Sequence, residues 1–272
     1  MLAYDNKMLL EKDFDMIFIF CILFLLFLAL ISRLFKKAGV KGKFGELFLA
    51  WRLKNSLDNS QYTIINDVII SDESGGTTQI DHVVFSPFGI FVIETKNMKG
   101  WIFGNRDERV WKQQIYRKKY DFQNPFLQNY KHICNLSKTI GLPQECLVHI
   151  VVFLGGIIKN REYLPENLVT SGTETLDFIS RFQNEIISSS LLDNAIANLQ
   201  ANRLANNSAT RKKHIEYVKN IAENKYDGVK FCPWCGNPMV LRKASKGIYA
   251  GQPFWGCSRY PACKCIIKEI EE

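Results

Sequence analysis

The stretch IDHVVFSPFGIFVIETK, at residues 80–96, gives the clearest structural signal in this chain. Two runs rich in Val, Ile and Phe flank a turn of sequence SPFG at residues 86–89. Apolar runs of this length, joined by a short turn that contains Pro and Gly, predict a β-hairpin. If the four turn residues form the loop, Phe85 pairs with Ile90, and the register of both strands is fixed.

This register brings two acidic residues together. Asp81 lies opposite Glu94 with Cβ atoms about 5 Å apart, and Lys96 shares their face because side chains alternate along a strand. Facing carboxylates repel unless a cation lies between them, and carboxylates with water suit Mg²⁺ better than Zn²⁺. The pattern predicts a divalent-metal site in which Lys96 positions a water or offsets negative charge. The alternative is a frayed strand end with exposed ion pairs.

A helix precedes the hairpin at residues 43–57, where apolar residues recur at helical spacing. It carries two apolar stripes, of which Phe44, Leu47, Phe48 and Trp51 form one, and Leu49, Ala50, Leu53 and Leu57 form the other. Glu46 falls in the middle of the second stripe, at about 100° per residue. A buried carboxylate there needs a partner, because an unpaired buried charge is costly. The alternative is that the helix dipole favours Glu46 near the N-terminus of the helix.

Short β-like runs and further helices continue along the chain, separated by Gly, Pro, Asn and Asp. We expect strands at 62–70, 79–85, 90–96, 101–103, 109–113 and 147–154, and helices at about 125–140 and 174–225. This order predicts a mixed α/β (α+β) fold in which a central sheet is flanked by helices.

Motifs spread over residues 40–154 resemble the nuclease-related domain (NERD), a family grouped with the PD-(D/E)xK nucleases. The resemblance is carried by Gly45-Glu46, Ile80-Asp81-His82-Val83-Val84, Gly89-Ile90-Phe91-Val92-Ile93-Glu94-Thr95-Lys96-Asn97, Gly100, and Asn124-Pro125 with Gln128. It implies a PD-(D/E)xK nuclease-like sheet and the hydrolysis of phosphodiester bonds in DNA. The chain departs from the pattern in having Ile80 where the literal motif has proline, and in lacking a full Q-x-x-x-Y after Gln128.

The same resemblance implies roles for individual residues. Asp81 and Glu94 would be ligands of Mg²⁺ or Mn²⁺, with the Thr95 carbonyl as a third ligand. Lys96 would be the catalytic lysine. Two further catalytic residues are implied, namely Glu46, the acid that completes or orients the site, and Gln128, the helix glutamine of related nucleases.

The four histidines add nothing to this predicted site. Strand alternation points His82 to the face opposite Asp81, which favours a structural role. The other three, His132, His149 and His214, belong to no visible constellation.

Five of the eight cysteines crowd into residues 232–265. Cys232-Pro-Trp-Cys235 and Cys257-x5-Cys263 are separated by 21 residues, a spacing typical of a closed four-thiolate site for structural Zn²⁺. Cys265 is a fifth candidate, but Cys263 is favoured because Tyr260-Pro261 forms a turn that presents it. The alternative, a thioredoxin-like redox pair, needs a surrounding βαβ unit and leaves the second cysteine pair unexplained.

Residues 231–265 closely resemble the C-terminal zinc finger of bacterial type I DNA topoisomerases, which implies contact with single-stranded DNA. Residues 230–268 hold seven basic and no acidic side chains among six aromatic ones, and such surfaces track phosphates and stack bases. The predicted nucleic-acid contacts are Arg242, Lys243, Lys246, Tyr249, Trp255 and Arg259. The alternative is that the aromatic residues form the core of a small zinc-held module.

Residues 16–31 carry no charge, and flanking residues extend this run to 16–35, which predicts a transmembrane helix in the lipid bilayer. The basic residues that follow place the C-terminal bulk in the cytosol, and we expect a single-pass protein of the cell (inner) membrane. Clustered rather than evenly spread cysteines agree with a reducing compartment. A cleavable signal peptide or a buried core helix are the alternatives; the first is disfavoured by the acidic residues ahead of the run.

Composition limits the classes of protein that this chain can belong to. Of its 272 residues 47% are apolar and 23% charged, which excludes a disordered chain and a multi-span membrane protein. The net charge of +8 points towards an anionic partner. We predict an N-terminal tail at 1–15, a membrane helix at 16–35, a nuclease-like domain at 38–155, a helical extension at 156–228 and a zinc finger at 229–268. Two rival functions remain, a non-catalytic nucleic-acid tether and a membrane-bound protein scaffold.

Overall fold

The computed structural model describes residues 22–24, 38–72, 76–106, 108–223, 232, 239–258, 260–261 and 263–268. Within them, the helices are α1 (Ala38–Ser56), α2 (Pro125–Ile140), α3 (Gly172–Ile179), α4 (Ser189–Asn202) and α5 (Ser208–Glu223). The strands are β1 (Thr63–Ser71), β2 (Thr77–Ser86), β3 (Gly89–Phe103), β4 (Val110–Ile115), β5 (Lys118–Gln123), β6 (Leu147–Ile158), β7 (Leu168–Val169), β8 (Met239–Lys243), β9 (Pro253–Cys257) and β10 (Ile266–Lys268). Single 3-10 turns are formed by Gln144–Cys146 and Arg161–Tyr163.

Strand β3 organises the main sheet. On one edge it pairs antiparallel with β2 and then with β4, and on the other edge it pairs parallel with β6 along most of its length. Strands β1, β5 and β7 complete a seven-stranded mixed sheet. Phe85 pairs with Ile90, so the predicted register of the hairpin is confirmed. The predicted α+β class with a central sheet between helices is confirmed as well.

The second half of β3 differs from the sequence prediction. Two separate strands were expected at 90–96 and 101–103, but one strand covers both, with a register shift between Asn97 and Gly100. An extra residue at such a β-bulge lets a strand bend without ending. Gly100 has φ +82°, and a Cβ there would lie 2.2 Å from the carbonyl oxygen of Gln114. Glycine is therefore required where β4 approaches β3.

Two apolar clusters cover the two faces of the sheet. On one face the clustered residues come from α2 and α4, with Leu136 and Leu199 fully buried. On the other face they come from α1 and α3, with Leu49, Leu53 and Ile179 fully buried. Burial of this kind, at about 25 cal/mol per Å² of apolar surface, is the main source of stability.

Helix α2 begins and ends at residues suited to those positions. The Asn124 side chain accepts a hydrogen bond from the Phe126 amide, and Pro125 occupies the first helical turn. At the other end, Gly141 takes a left-handed conformation with φ +74°, which glycine adopts without steric cost. The helix is thus fixed at both ends, and its inner face is set against the sheet.

The N-terminal predictions fall mainly outside the described residues. The chain divides into two units at residue 45, and the sheet lies in the second, at 46–272. No helix among the described residues is long and apolar enough to cross a membrane. The predicted span at 16–35 lies outside the described residues except for 22–24, which are helical. In α1 one predicted apolar stripe is buried at Leu49 and Leu53, whereas Trp51 of the other is exposed.

Strands β8 to β10 form a separate three-stranded antiparallel sheet in the order β10-β9-β8. They occupy the segment predicted as a zinc finger. The predicted helical extension before it contains α3, α4 and α5, so the single helical stretch expected at 174–225 is broken at residues 180–188 and 203–207.

Candidate metal-dependent active site

The two acids of the predicted site, Asp81 and Glu94, lie on the neighbouring strands β2 and β3. The Thr95 amide in β3 donates a hydrogen bond of 2.8 Å to Asp81 Oδ2, so the Asp81 carboxylate lies against the backbone between Glu94 and Lys96. Glu94 is only 2% exposed, and its charge acts on Asp81. The structure therefore brings Asp81, Glu94 and Thr95 together as the hairpin register predicts.

Lys96 joins β3 to helix α2. Its ammonium group donates to Glu94 Oε1 at 2.6 Å and to Gln128 Oε1 at 2.8 Å. The sequence assigned Gln128 to this site through family resemblance, and the structure places it within hydrogen-bond distance of the lysine. Helix α2 presents Gln128 here because its N-terminus is fixed by Asn124, one helical turn earlier.

Sequence reasoning missed His132. Its Nε2 lies 3.2 Å from Glu94 Oε2 and its Nδ1 lies 2.7 Å from Thr78 Oγ1, and the side chain is 5% exposed. His132 follows Gln128 by four residues, so both lie on one face of α2. That spacing is the signal that could have found it once Gln128 was assigned.

The charges of three carboxylates, those of Glu94, Asp81 and Glu46, act on the Lys96 ammonium group. Burial first, and then the charges of Glu94 and Glu46, raise the pKa of Asp81 well above its ordinary value. Burial also acts to raise the pKa of Glu94, but Lys96 and His132 outweigh it and hold that pKa well below its usual range. The raised pKa means that a nearby cation is needed for Asp81 to carry its negative charge beside Glu94.

These donors fit a hard divalent cation. Asp81 Oδ2 accepts the Thr95 amide, while Oδ1 accepts no hydrogen bond from any described residue. Each Glu94 oxygen accepts one hydrogen bond and keeps a further lone pair. Carboxylate oxygens near a fixed lysine are ligands for Mg²⁺ or Mn²⁺ rather than for soft metals. An ion of charge +2 would lower the pKa of Asp81 and so let both carboxylates be ionised side by side.

A second cluster, of sulfur ligands, lies in the C-terminal sheet. The Sγ atoms of Cys232, Cys257 and Cys263 all lie within 4.8 Å of one another. Cys232 Sγ and Cys263 Sγ are 3.7 Å apart, too far for a disulfide bond and close to the separation of about 3.8 Å between thiolates on a tetrahedral zinc ion. Cys235 lies outside the described residues. The cluster supports the predicted structural zinc.

Cys265 is buried beside these ligands and belongs to the same cluster. Its carbonyl accepts a hydrogen bond of 3.0 Å from the Cys257 amide. The backbone thereby ties β10 to a predicted zinc ligand.

The predicted nucleic-acid contacts of this module separate into exposed and packed residues. The exposed residues are Arg242, Lys243, Lys246 and Tyr249, and Arg242 lies 5.8 Å from the ring centroid of Tyr260. Trp255, predicted as a base-stacking residue, is half-buried and packs against the cysteine cluster, because it lies on the same face of β9 as Cys257. Arg259 lies outside the described residues.

Comparison with known proteins independently supports both family resemblances. Residues 41–154 match the family described as the nuclease-related domain, and residues 229–271 match the topoisomerase DNA-binding C4 zinc finger. An uncharacterized protein of Bacillus anthracis is 47% identical over 107 residues, which are 39% of this chain and 50% of that protein. The chain thus spans about half the length of this curated relative. No solved structure matches the chain. The recognition made from the hairpin and the cysteine spacing is confirmed, and the chain carries a nuclease-related domain followed by a topoisomerase-type C4 zinc finger.

Proposed function

We propose that this chain is a metal-dependent nuclease that hydrolyses phosphodiester bonds in DNA, with the zinc finger as a DNA-binding tail. One observation carries the proposal: the Thr95 amide holds the Asp81 carboxylate beside Glu94 through a hydrogen bond of 2.8 Å, and Lys96 bridges Glu94 and Gln128 at 2.6 Å and 2.8 Å, so two acids and a lysine form one cluster. Buried like charges are costly unless a cation compensates them. A bound divalent ion would offset the cost of burying these acids, and the phosphate of a substrate would then bind to that ion.

Asp81 and Glu94 would hold Mg²⁺ or Mn²⁺, with the Thr95 carbonyl as a further oxygen ligand. A divalent ion in such a site makes a bound water acidic and stabilises negative charge on phosphate oxygens. Glu46, whose charge reaches both Asp81 and Lys96, keeps the site negative enough to select a dication.

Lys96 and Gln128 supply the positioning. Lys96 donates hydrogen bonds to Glu94 and Gln128, which leaves the third N–H of the ammonium group to point at a phosphate oxygen. A fixed positive charge there offsets the negative charge that develops during attack on phosphorus. Gln128 Oε1 holds the ammonium in this orientation from the helix side.

The zinc finger would hold the substrate strand. Exposed Arg242, Lys243 and Lys246 provide charge for phosphates, and Tyr249 provides an aromatic face for a base. Zinc itself has a structural role, since all its predicted ligands are thiolates in a closed site.

The decisive test is cleavage of single-stranded and double-stranded DNA with Mg²⁺ or Mn²⁺, comparing the wild-type chain with Glu94→Ala. We expect metal-dependent cutting by wild type and its loss in the variant. Glu166→Ala is the control, because Glu166 is exposed in a surface ion pair with Arg181. Unchanged cutting by Glu94→Ala would refute the site. Salt-sensitive DNA binding without any cutting would favour the tether.

We also propose that residues 16–35 anchor the chain in the cell membrane. The support is the uncharged run at 16–31 and the basic residues after it. After alkaline extraction, the full chain should remain with the membrane pellet, and Leu25→Arg with Leu26→Arg should release it. Wild-type chain in the supernatant would contradict the anchor.

A further inference from the structure

The turn between β4 and β5 holds a tyrosine in an unfavourable place. Ile115 pairs with Lys118, so the turn consists of Tyr116 and Arg117 alone. Tyr116 has φ +54°, a left-handed conformation that costs a bulky residue energy and that glycine adopts freely. Its side chain is 94% exposed, so it makes almost no packing contact in return. Among the described residues no side chain pairs with the Tyr116 ring, so the ring is available to a ligand.

Three basic residues follow this tyrosine in the chain. Arg117, Lys118 and Lys119 follow it directly, and all three are exposed. Asp121 is the nearest acidic residue of the hairpin in the chain, and it is paired across the ladder with Lys112, away from the turn. Edge strand β5 is exposed over most of its length. The hairpin tip therefore offers one aromatic face within a cationic surface.

The tip lies near the candidate active site. Gln114 pairs with Trp101, and β4 runs antiparallel to β3, so Tyr116 lies about level with Lys99. The Gln113 side chain donates to the Lys99 carbonyl at 2.8 Å, which fixes this alignment. Lys99 follows Lys96 by three residues, at most about 10 Å along β3, because the register shift between Asn97 and Gly100 falls within this stretch. A polynucleotide bound at the site can reach the tip.

We propose that the β4–β5 hairpin is a single-strand-binding element, in which the Tyr116 ring stacks on a base and Arg117, Lys118 and Lys119 contact phosphates. The inference rests on the proposed function and deepens it, since it names single-stranded nucleic acid as the material held next to the acidic site. The surface is distinct from the zinc finger. Stacking on an aromatic ring needs no particular base, because every base has a π-face.

The first experiment measures binding of a labelled single-stranded oligonucleotide to the zinc-loaded full chain by fluorescence anisotropy, without Mg²⁺ or Mn²⁺. Tyr116→Gly should weaken binding by about fivefold or more, while the melting temperature does not fall, because glycine removes the backbone strain. Tyr116→Phe should bind like wild type. Tyr163→Ala is the matched control, since Tyr163 is 76% exposed at a different turn. Wild-type affinity in Tyr116→Gly, or an equal loss in Tyr163→Ala, overturns the proposal.

The second experiment tests the charges. Binding weakens as salt increases, so the plot of log affinity against log salt has a negative slope. Replacing Lys118 and Lys119 by Gln should make this slope less steep by about 1.4, or about 0.7 for each phosphate contact. The same replacement at Lys212 and Lys213, an exposed pair on α5, should leave the slope unchanged. An unchanged slope in the first pair contradicts the proposal.

An anionic membrane surface is the competing ligand for such a tip. Vesicles containing phosphatidylserine separate the two, because the hairpin variants should lose oligonucleotide binding and bind vesicles as wild type does. The opposite result rejects the proposal. These measurements need no cleavage, so a chain that binds through the hairpin but does not cut DNA retires the nuclease activity and leaves the hairpin role standing.

Discussion

His132 connects the helix side of the candidate site to its acids. It accepts or donates one hydrogen bond at each ring nitrogen, to Thr78 in β2 and to Glu94 in β3. Outer partners of this kind orient a metal ligand and raise its affinity. We therefore assign His132 to positioning Glu94 rather than to contact with substrate.

Replacing His132 by alanine should weaken both the fold and the metal site. Thr78 and Glu94 each lose a buried partner, which costs about 1–3 kcal/mol of unfolding free energy. Affinity for Mn²⁺ should fall by about 10- to 100-fold, measured by calorimetry on the unliganded chain. His82→Ala is the control, because His82 is equally buried but bonds to Asn66, outside the site. Equal metal affinity in the two variants would contradict the assignment.

Two buried histidines make stability depend on pH. Burial lowers the pKa of His82 and of His149 from 6.5 to about 4, so the folded chain keeps both neutral while the unfolded chain protonates them. Their contribution is fully present above pH 6.5 and is lost as the pH falls from there towards 4. At pH 5 each of these two histidines should lower the free energy of unfolding by about 2 kcal/mol relative to its value at high pH.

Urea unfolding at pH 7 and pH 5 measures this dependence. In His82→Gln the loss between the two pH values should be smaller than in wild type by about 2 kcal/mol. An identical loss in both chains would mean that His82 is not held neutral in the fold.

The acidic pair could be predicted from the sequence because it depends on local geometry alone. Four turn residues and strand alternation place Asp81 opposite Glu94 and put Lys96 on their face. His132 could not be found in the same way. Its contact with Glu94 spans 38 residues and depends on where α2 packs, which no local rule gives.

Helix α5 docks on the nuclease-like domain through Asp72. The Tyr217 hydroxyl donates to Asp72 Oδ2 at 2.8 Å, and the Lys131 ammonium donates to the same oxygen at 3.1 Å. The Tyr217 ring lies over Gly76 so closely that a Cβ there would be 1.8 Å from the ring. This contact ties the segment before the zinc finger to β2 and α2.

Gly76→Ala should loosen α5 because the added methyl group overlaps the Tyr217 ring. We expect a loss of about 1–3 kcal/mol in stability and faster hydrogen exchange in 208–223. In a Tyr217→Ala background the same change should cost little, since the ring is gone. Equal costs in both backgrounds would show that the close approach does not decide the docking.

At the scale of elements, the sequence predicted α2 within its bounds but missed β5. Four of the six β5 residues are polar, and only Tyr120 and Phe122 alternate with them, a run too short to predict a half-buried strand. Residues 90–103 appeared as two strands because Gly100 interrupts the apolar run. Only the pairing with β6, distant in sequence, shows that the strand continues.

Helix α2 contacts the candidate site on one side and the zinc finger on the other. Gln128 and His132 face the candidate site, whereas Tyr130 and Cys134, two residues further round, join the cluster of finger cysteines. Cys134 is only 2% exposed. Loss of zinc should therefore change the exposure of the α2 residues that pack against the finger.

Zinc removal by a chelator should expose Cys134. Thiolate sites of this type hold their modules folded, so the finger should unfold and Cys134 should label rapidly with a thiol reagent, as read by mass spectrometry. Cys146 is the internal control, since it is half-exposed away from the finger and should label at the same rate before and after. Slow labelling of Cys134 after chelation would show that it is covered by something other than the zinc-held module.

One shared helix also limits how this polypeptide can be shortened. A version ending ahead of Cys232 would leave the phenol of Tyr130 and the sulfhydryl of Cys134 uncovered. In aerated buffer the exposed Cys134 thiols would be oxidised to disulfide-linked dimers. The exposed apolar patch would promote aggregation. Evolutionary reshuffling meets the same obstacle, because a replacement tail has to bring a matching surface for those two side chains.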